Sequence, residues 1–148
     1  MLGPAAYASR AFGQSGGAGA QVSLQVDAQA LQVIPGYERA HVEVHQDQSQ
    51  SAQALQRLAP AERGIPIIYL VIGVLSIPIV WRTIRSMLLQ AYYGGVVIDA
   101  RQTPVSIVHD KAIPSGMVMV IKPDGSMEKF EEAKFDESAL ASLVSGKR

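Results

Sequence analysis

The chain has 148 residues, thirteen basic and thirteen acidic side chains, three histidines and no cysteine. Without cysteine it has no disulfide, no thiolate nucleophile and no cysteine-ligated zinc. With no net charge and no Lys or Arg cluster beyond the arginines flanking its most apolar stretch, it lacks the electrostatic footprint of a nucleic-acid binder.

Residues 1–20 carry one basic side chain and no sustained apolar segment, which departs from the pattern of a secretory leader, and the Gly-rich QSGGAGA at 14–20 predicts a flexible lead. From 21 to 30 the chain alternates strictly, with Val22, Leu24, Val26, Ala28 and Ala30 against Gln21, Ser23, Gln25, Asp27 and Gln29. That is the period of a half-buried strand. After a Pro35-Gly36 turn the alternation resumes, Ala40, Val42 and Val44 opposing Arg39, His41, Glu43 and His45, so the two segments are expected to pair as a hairpin.

His41, Glu43 and His45 stand at i, i+2 and i+4, which on a strand places all three on one face. Imidazole and carboxylate donors suit zinc or a similar divalent ion, and Asp47 can extend the set. The simpler reading of the same residues is the solvated side of a two-stranded ribbon, because ligands strung along one strand give poor tetrahedral geometry. Residues 46–56 form a polar bridge rich in Gln and Ser. Its second half reads as a short helix with Ser51 as cap, Ala52, Leu55 and Ala59 on one face and Pro60 as its stop.

Residues 64–81, GIPIIYLVIGVLSIPIVW, are free of charge and bracketed by Arg63 and Arg82. As a helix rising about 1.5 Å per residue this run covers roughly 25 Å, close to the hydrocarbon core of a bilayer, and Tyr69 and Trp81 are the amphipathic aromatics of membrane interfaces. A single membrane-spanning helix is therefore expected, kinked at Pro78, with Gly73 and Ser76 as small residues that permit helix association. A buried core helix or a central strand is the competing reading. Beyond Trp81 an amphipathic extension carries Ile84, Met87, Leu88, Ala91 and Tyr92 on one stripe and ends at Gly94-Gly95.

After the glycine pair, residues 96–100, 105–109, 117–122 and 127–131 are β-branched or apolar runs separated by Pro104, Pro114-Ser115-Gly116 and a Lys122-Pro123-Asp124-Gly125 turn, which predicts a small antiparallel meander with Met117 and Met119 filling its core. A final helix is capped by Asp136, stapled by Phe135 onto Leu140, and stopped by Gly146 ahead of Lys147 and Arg148. His109, Asp110 and Ser115 are the residue types of a hydrolytic triad, but no nucleophile-elbow pattern surrounds the serine.

The fold class expected is thus α+β: a single transmembrane helix linking a small N-terminal arm containing a β-hairpin to a C-terminal antiparallel β-meander with a terminal helix. Its parts are a flexible lead (1–20), an N-terminal β-rich arm with polar linker (21–63), the transmembrane helix with its extension (64–93) and the meander with helix (94–148). The function this organisation implies is non-catalytic. It is that of a single-pass membrane protein acting by contact as a small subunit, adaptor or assembly factor, in the lipid bilayer with a protein partner or as a homo-oligomer. The distribution of arginines around the apolar run leans toward a cytoplasmic C-terminal arm. A membrane-bound zinc binder through His41, Glu43 and His45, and an oligomerising toxin or pore former, are the alternatives. No small-molecule substrate and no catalytic or cofactor-binding residue is indicated.

Overall fold

The computed structural model of the protein describes residues 19–60, Gly64 and residues 66–144. Strand β1 (Gly19–Asp27) leads into two short helices, α1 (Ala28–Leu31) and α2 (Gly36–Arg39), then β2 (Val42–Gln46), α3 (Gln50–Leu58), β3 (Ile68–Ser76) and α4 (Ile77–Leu88). A single 3₁₀ turn (Ala91–Tyr93) precedes β4 (Gly95–Asp99), β5 (Val105–Asp110), β6 (Met117–Ile121) and β7 (Met127–Glu131), and a second (Glu132–Lys134) precedes α5 (Glu137–Val144).

All seven strands form one mixed sheet in the order β2-β3-β1-β5-β4-β6-β7. β1 is an inner strand, antiparallel to β3 and parallel to the central β5, while β4 pairs antiparallel with β5 and parallel with β6. One face of the sheet carries Val22, Leu24 and Val26 of β1, Val71 and Leu75 of β3, Val96 and Ile98 of β4, Ile107 of β5, and Val118 and Val120 of β6, all buried in one core. Over it lie Ile79, Val80, Ile84, Met87 and Leu88 of α4, Ala30 of α1 and Leu140 of α5. These side chains are what hold α4, the longest helix, flat against the sheet; each fully buried aliphatic contributes about 1.5–3 kcal/mol of transfer free energy.

The apolar run at 64–81 is the largest departure from expectation, for it is not a membrane helix. It is β3 followed directly by the start of α4, and among the described residues no helix is long and apolar enough to cross a membrane. The single-pass placement, with its lean toward a cytoplasmic C-terminal arm, falls with the helix. The reason is the position of β3 inside the sheet, between β1 and β2. Tyr69, Val71 and Leu75 point into the core, and Leu70, Ile72 and Val74 stand on the opposite face, so the period of two is hidden by apolar residues on both sides. Pro78 occupies the first turn of α4, where its missing N–H is no loss, and so marks a helix start rather than a kink. The Ser76 N–H at this junction instead donates to Glu38 Oε1 of α2 at 2.9 Å, which gives the buried Glu38 its partner.

The expected arms give way for a related reason. The alternation beginning at Gln21 is a strand to Asp27, whose carboxylate caps α1 by accepting the Ala30 N–H at 3.0 Å. It does not pair with β2, because β3 is inserted between them. Nor do β4 to β7 form a simple antiparallel meander: β4–β5 and β6–β7 are antiparallel pairs joined side by side through the parallel β4–β6 ladder, and β5 attaches the whole group to β1. Met117 and Met119 alternate with the core residues Val118 and Val120, so they lie on the face away from the core they were expected to fill. The amphipathic extension stops at Leu88.

Local capping chemistry is closer to the sequence pattern. Ser49 rather than Ser51 caps α3, accepting the Ala52 N–H at 3.1 Å, and Ala52 and Leu55 are its buried residues. Asp136 accepts the Ala139 N–H at 2.9 Å at the start of α5, with Phe135 and Leu140 buried beside it. Asp136→Ala is expected to lower the unfolding free energy by about 1 kcal/mol, measured by urea denaturation. The Gly146 stop, Lys147, Arg148 and the lead up to residue 18 lie outside the described residues.

Candidate functional site

The helices α1, α4 and α5 pack on one face of the sheet; the other face is covered by α3 at the end where β1 finishes and β3 begins. There the buried Gln25 donates through Nε2 to Asp47 Oδ2 at 3.0 Å and to Ser51 Oγ at 2.8 Å, tying the start of α3 to β1. Burial alone would raise the Asp47 pKa, but the hydrogen bonds from Gln25 and Ser49 outweigh it and hold the carboxyl below its ordinary value. Ala52 and Leu55 of α3 close over Ile68 and Tyr93 in a small second cluster.

Beyond α3, no helix among the described residues packs on this face. β3 contributes Leu70, Ile72 and Val74, while Val97 of β4 pairs with Val108 of β5 and with Met119 of β6. All are half-buried, shielded only in part by neighbouring side chains of the same face. Between the aliphatic patches runs a polar strip from Gln21 and Ser23 of β1 to Ser106 of β5, in register with Val74 and Ile72 on one side. An uncovered sheet face normally alternates with charged or polar side chains. Here apolar side chains take those positions on four inner strands, and they are the residues that pattern reading misses; the signal available for those of β3 is the continuous apolar character of 68–75.

The edges of the sheet are built differently. β2 and β7 are each five residues long, and they present Glu43 and His45 on one side and Glu128, Lys129 and Glu131 on the other, all exposed. Short, charged edges oppose the addition of further strands. Contact through the face is thus favoured over contact through the edges.

Two of the candidate metal ligands stand together and the others apart. Glu43 and His45 lie on β2, His45 Nε2 being 3.0 Å from Glu43 Oε1 with both side chains exposed. His41 sits in the turn before the strand, its carbonyl accepting the Val74 N–H at 3.2 Å, and Asp47 is engaged with Gln25. No group of three or more His, Cys, Asp or Glu able to hold a metal ion occurs among the described residues.

His109, Asp110 and Ser115 are likewise apart in role. Asp110 accepts the Ala112 N–H at 2.9 Å, and Ser115 Oγ donates to the Ala91 carbonyl at 2.8 Å. His109 is buried with its ring 4.8 Å from that of Tyr93, and its Nδ1 makes no hydrogen bond. Burial lowers its pKa from 6.5 to about 4, against a smaller opposing contribution from the Gly95 backbone. It is a neutral core histidine.

Comparison with known proteins found no matching family model, curated protein or solved structure, so the functional reading rests on this geometry.

Proposed function

We propose that the chain is a non-catalytic contact module that pairs with a second copy of itself through the open face of its sheet. The observation that carries the reading is the aliphatic surface of Leu70, Ile72, Val74, Val97, Val108 and Met119, which no helix among the described residues covers, whereas α1, α4 and α5 pack on the other side of the same sheet. Two such faces stack about 10 Å apart with their strands nearly aligned, as in a β-sandwich.

Size and charge agree with a second copy as the occupant. With strands about 4.8 Å apart and residues rising about 3.3 Å, a seven-stranded sheet five residues deep presents at most roughly 500 Å² per copy, and two copies together come to about 1,000 Å², the size of a weak specific pair. Thirteen positive and thirteen negative side chains leave no net charge to hold two copies apart. The exposed, charged edge strands limit the assembly to a closed pair, since they resist growth from sheet to sheet.

Light scattering coupled to size exclusion tests this directly. The purified chain is expected to run at twice its 15.8 kDa mass at micromolar concentration. Ile72→Glu, which places a carboxylate among Leu70 and Val74 on the open face while leaving the core side of β3 untouched, is expected to weaken the pair by at least about a hundredfold and give monomers with an unchanged far-ultraviolet spectrum. A wild-type chain that remains monomeric at high micromolar concentration sinks the proposal.

A further inference from the structure

A cleft opens on the helix side of the sheet, at the end farthest from α3, between the β6–β7 hairpin and α5. Its volume is about 430 Å³. Ligand pockets for small molecules begin at about 300 Å³ and are mostly apolar, with a few polar groups fixing orientation. Val120 and Phe130 from the hairpin form the floor, and Phe135, Ala139 and Leu143 from α5 and the turn before it form the wall. The two phenyl rings stand 5.3 Å apart and tilted at 52°, so that an aromatic corner faces the space. Trp81 of α4 backs Phe135 with ring centroids 5.8 Å apart.

The mouth is charged. Lys122, Asp124 and Glu128 line it, and Lys122 Nζ is already engaged with Glu128 Oε1 at 3.1 Å. Asp124 accepts from both the backbone N–H and the hydroxyl of Ser126, at 2.9 and 2.6 Å, and these bonds keep its carboxyl below the ordinary value. One cation against two carboxylates leaves a negative rim above an aromatic corner. Negative charge and phenyl faces both attract an ammonium group, and the apolar floor accepts a hydrocarbon body.

We infer that this cleft binds a small amphipathic amine, its ring or branched chain seated against Phe130 and Phe135 and its ammonium held at the mouth between Asp124 and Glu128. The site is independent of the dimer face, since Val120, Glu128 and Phe130 lie on the opposite side of the sheet from Met119 and Lys129. A protein of this kind couples a small organic cation to an element, α5, that packs on the core helix α4.

Trp81 is the one tryptophan of the chain and reports on the cleft through Phe135. Full-length protein is titrated with phenylbutylamine and with phenylbutyrate, which share an apolar body and differ in the sign of the head group. Saturable change in Trp81 emission is expected for both, with the amine bound about tenfold more tightly. Glu128→Gln, an exposed substitution on an edge strand, is expected to bring the two affinities to near parity, and Ala139→Phe, which fills the cleft, to abolish both signals. Failure of either compound to saturate the wild-type signal overturns the inference, as does tighter binding of the acid or an amine preference that survives Glu128→Gln. Should Ala139→Phe fail to fold, the Glu128→Gln comparison decides alone.

Discussion

Gly95→Ala is expected to be strongly damaging, lowering the unfolding free energy by about 3 kcal/mol or more. A Cβ at this position would stand 2.4 Å from Ile113 Cγ2, 2.6 Å from the Met117 carbonyl oxygen and 2.7 Å from that of Pro114. Two of these are backbone oxygens, one in the loop before β6 and one on the first residue of that strand, and the Gly95 N–H is itself bonded to the Ile113 carbonyl at 2.7 Å. The loop therefore cannot retreat without surrendering that bond. The cost falls on the point where β4 begins, next to Tyr93 and His109, and so on the joint between the two halves of the sheet. Urea denaturation measures it as a drop in midpoint at constant slope. Gly36→Ala supplies the contrast, since a Cβ there meets nothing within 4 Å and the residue is helical; it is expected to raise stability by about 0.5 kcal/mol. Equal effects at the two glycines would contradict the packing account.

The second large effect is a loss of stability in mild acid carried by His109. In the unfolded chain the imidazole titrates near its ordinary 6.5, whereas in the fold it titrates at about 4. Between those values the unfolded chain binds a proton that the folded chain refuses, so stability is full above pH 6.5 and declines as pH falls toward 4. Integrated over that window the loss is about 3 kcal/mol. His109→Leu removes the titrating group and is expected to flatten the curve between pH 6.5 and 4, whatever its effect at neutral pH. Asp47, Asp99 and Asp124, whose folded pKa values lie below the ordinary carboxylate value of 3.8, contribute stability that is lost only at lower pH, as it falls through those depressed values. The two windows are separable by measuring the unfolding free energy at half-unit steps. An unchanged slope in His109→Leu would mean that the histidine is not the group responsible.

Much of the local structure is legible in the residues. The alternation at 21–27, the Asp136 cap and the Lys122–Gly125 turn, closed by the Gly125 N–H on the Lys122 carbonyl at 2.8 Å, follow from short-range chemistry. The strand at 68–76 is not legible in the same way, because an inner strand flanked by a helix core and an aliphatic outer face shows no period, and nine such residues followed by an amphipathic helix imitate a membrane span. Hydropathy measures distance from water, not what provides that distance. The open face is hidden for the same reason: inside a charge-free run, Leu70, Ile72 and Val74 carry no mark of the sheet surface to which they belong. Gln25 and Glu38 were invisible as buried groups, since their partners, Asp47 with Ser51 and the Ser76 N–H, lie far along the chain.

The insertion of β3 between β1 and β2, and the parallel attachment of β5 to β1, also set the order in which the chain can fold. β1 is the earliest of the described strands, yet its neighbours lie far along the chain: Leu24 meets Val71 on one side and Ile107 on the other. No local hairpin forms in the first half to reward early closure, and both ladders of β1 demand long loops to be closed before any hydrogen bond is gained. A chain cut before Val105 leaves bare the edge of β1 that pairs with β5. The strand earliest in the described chain depends for both its ladders on residues far beyond it.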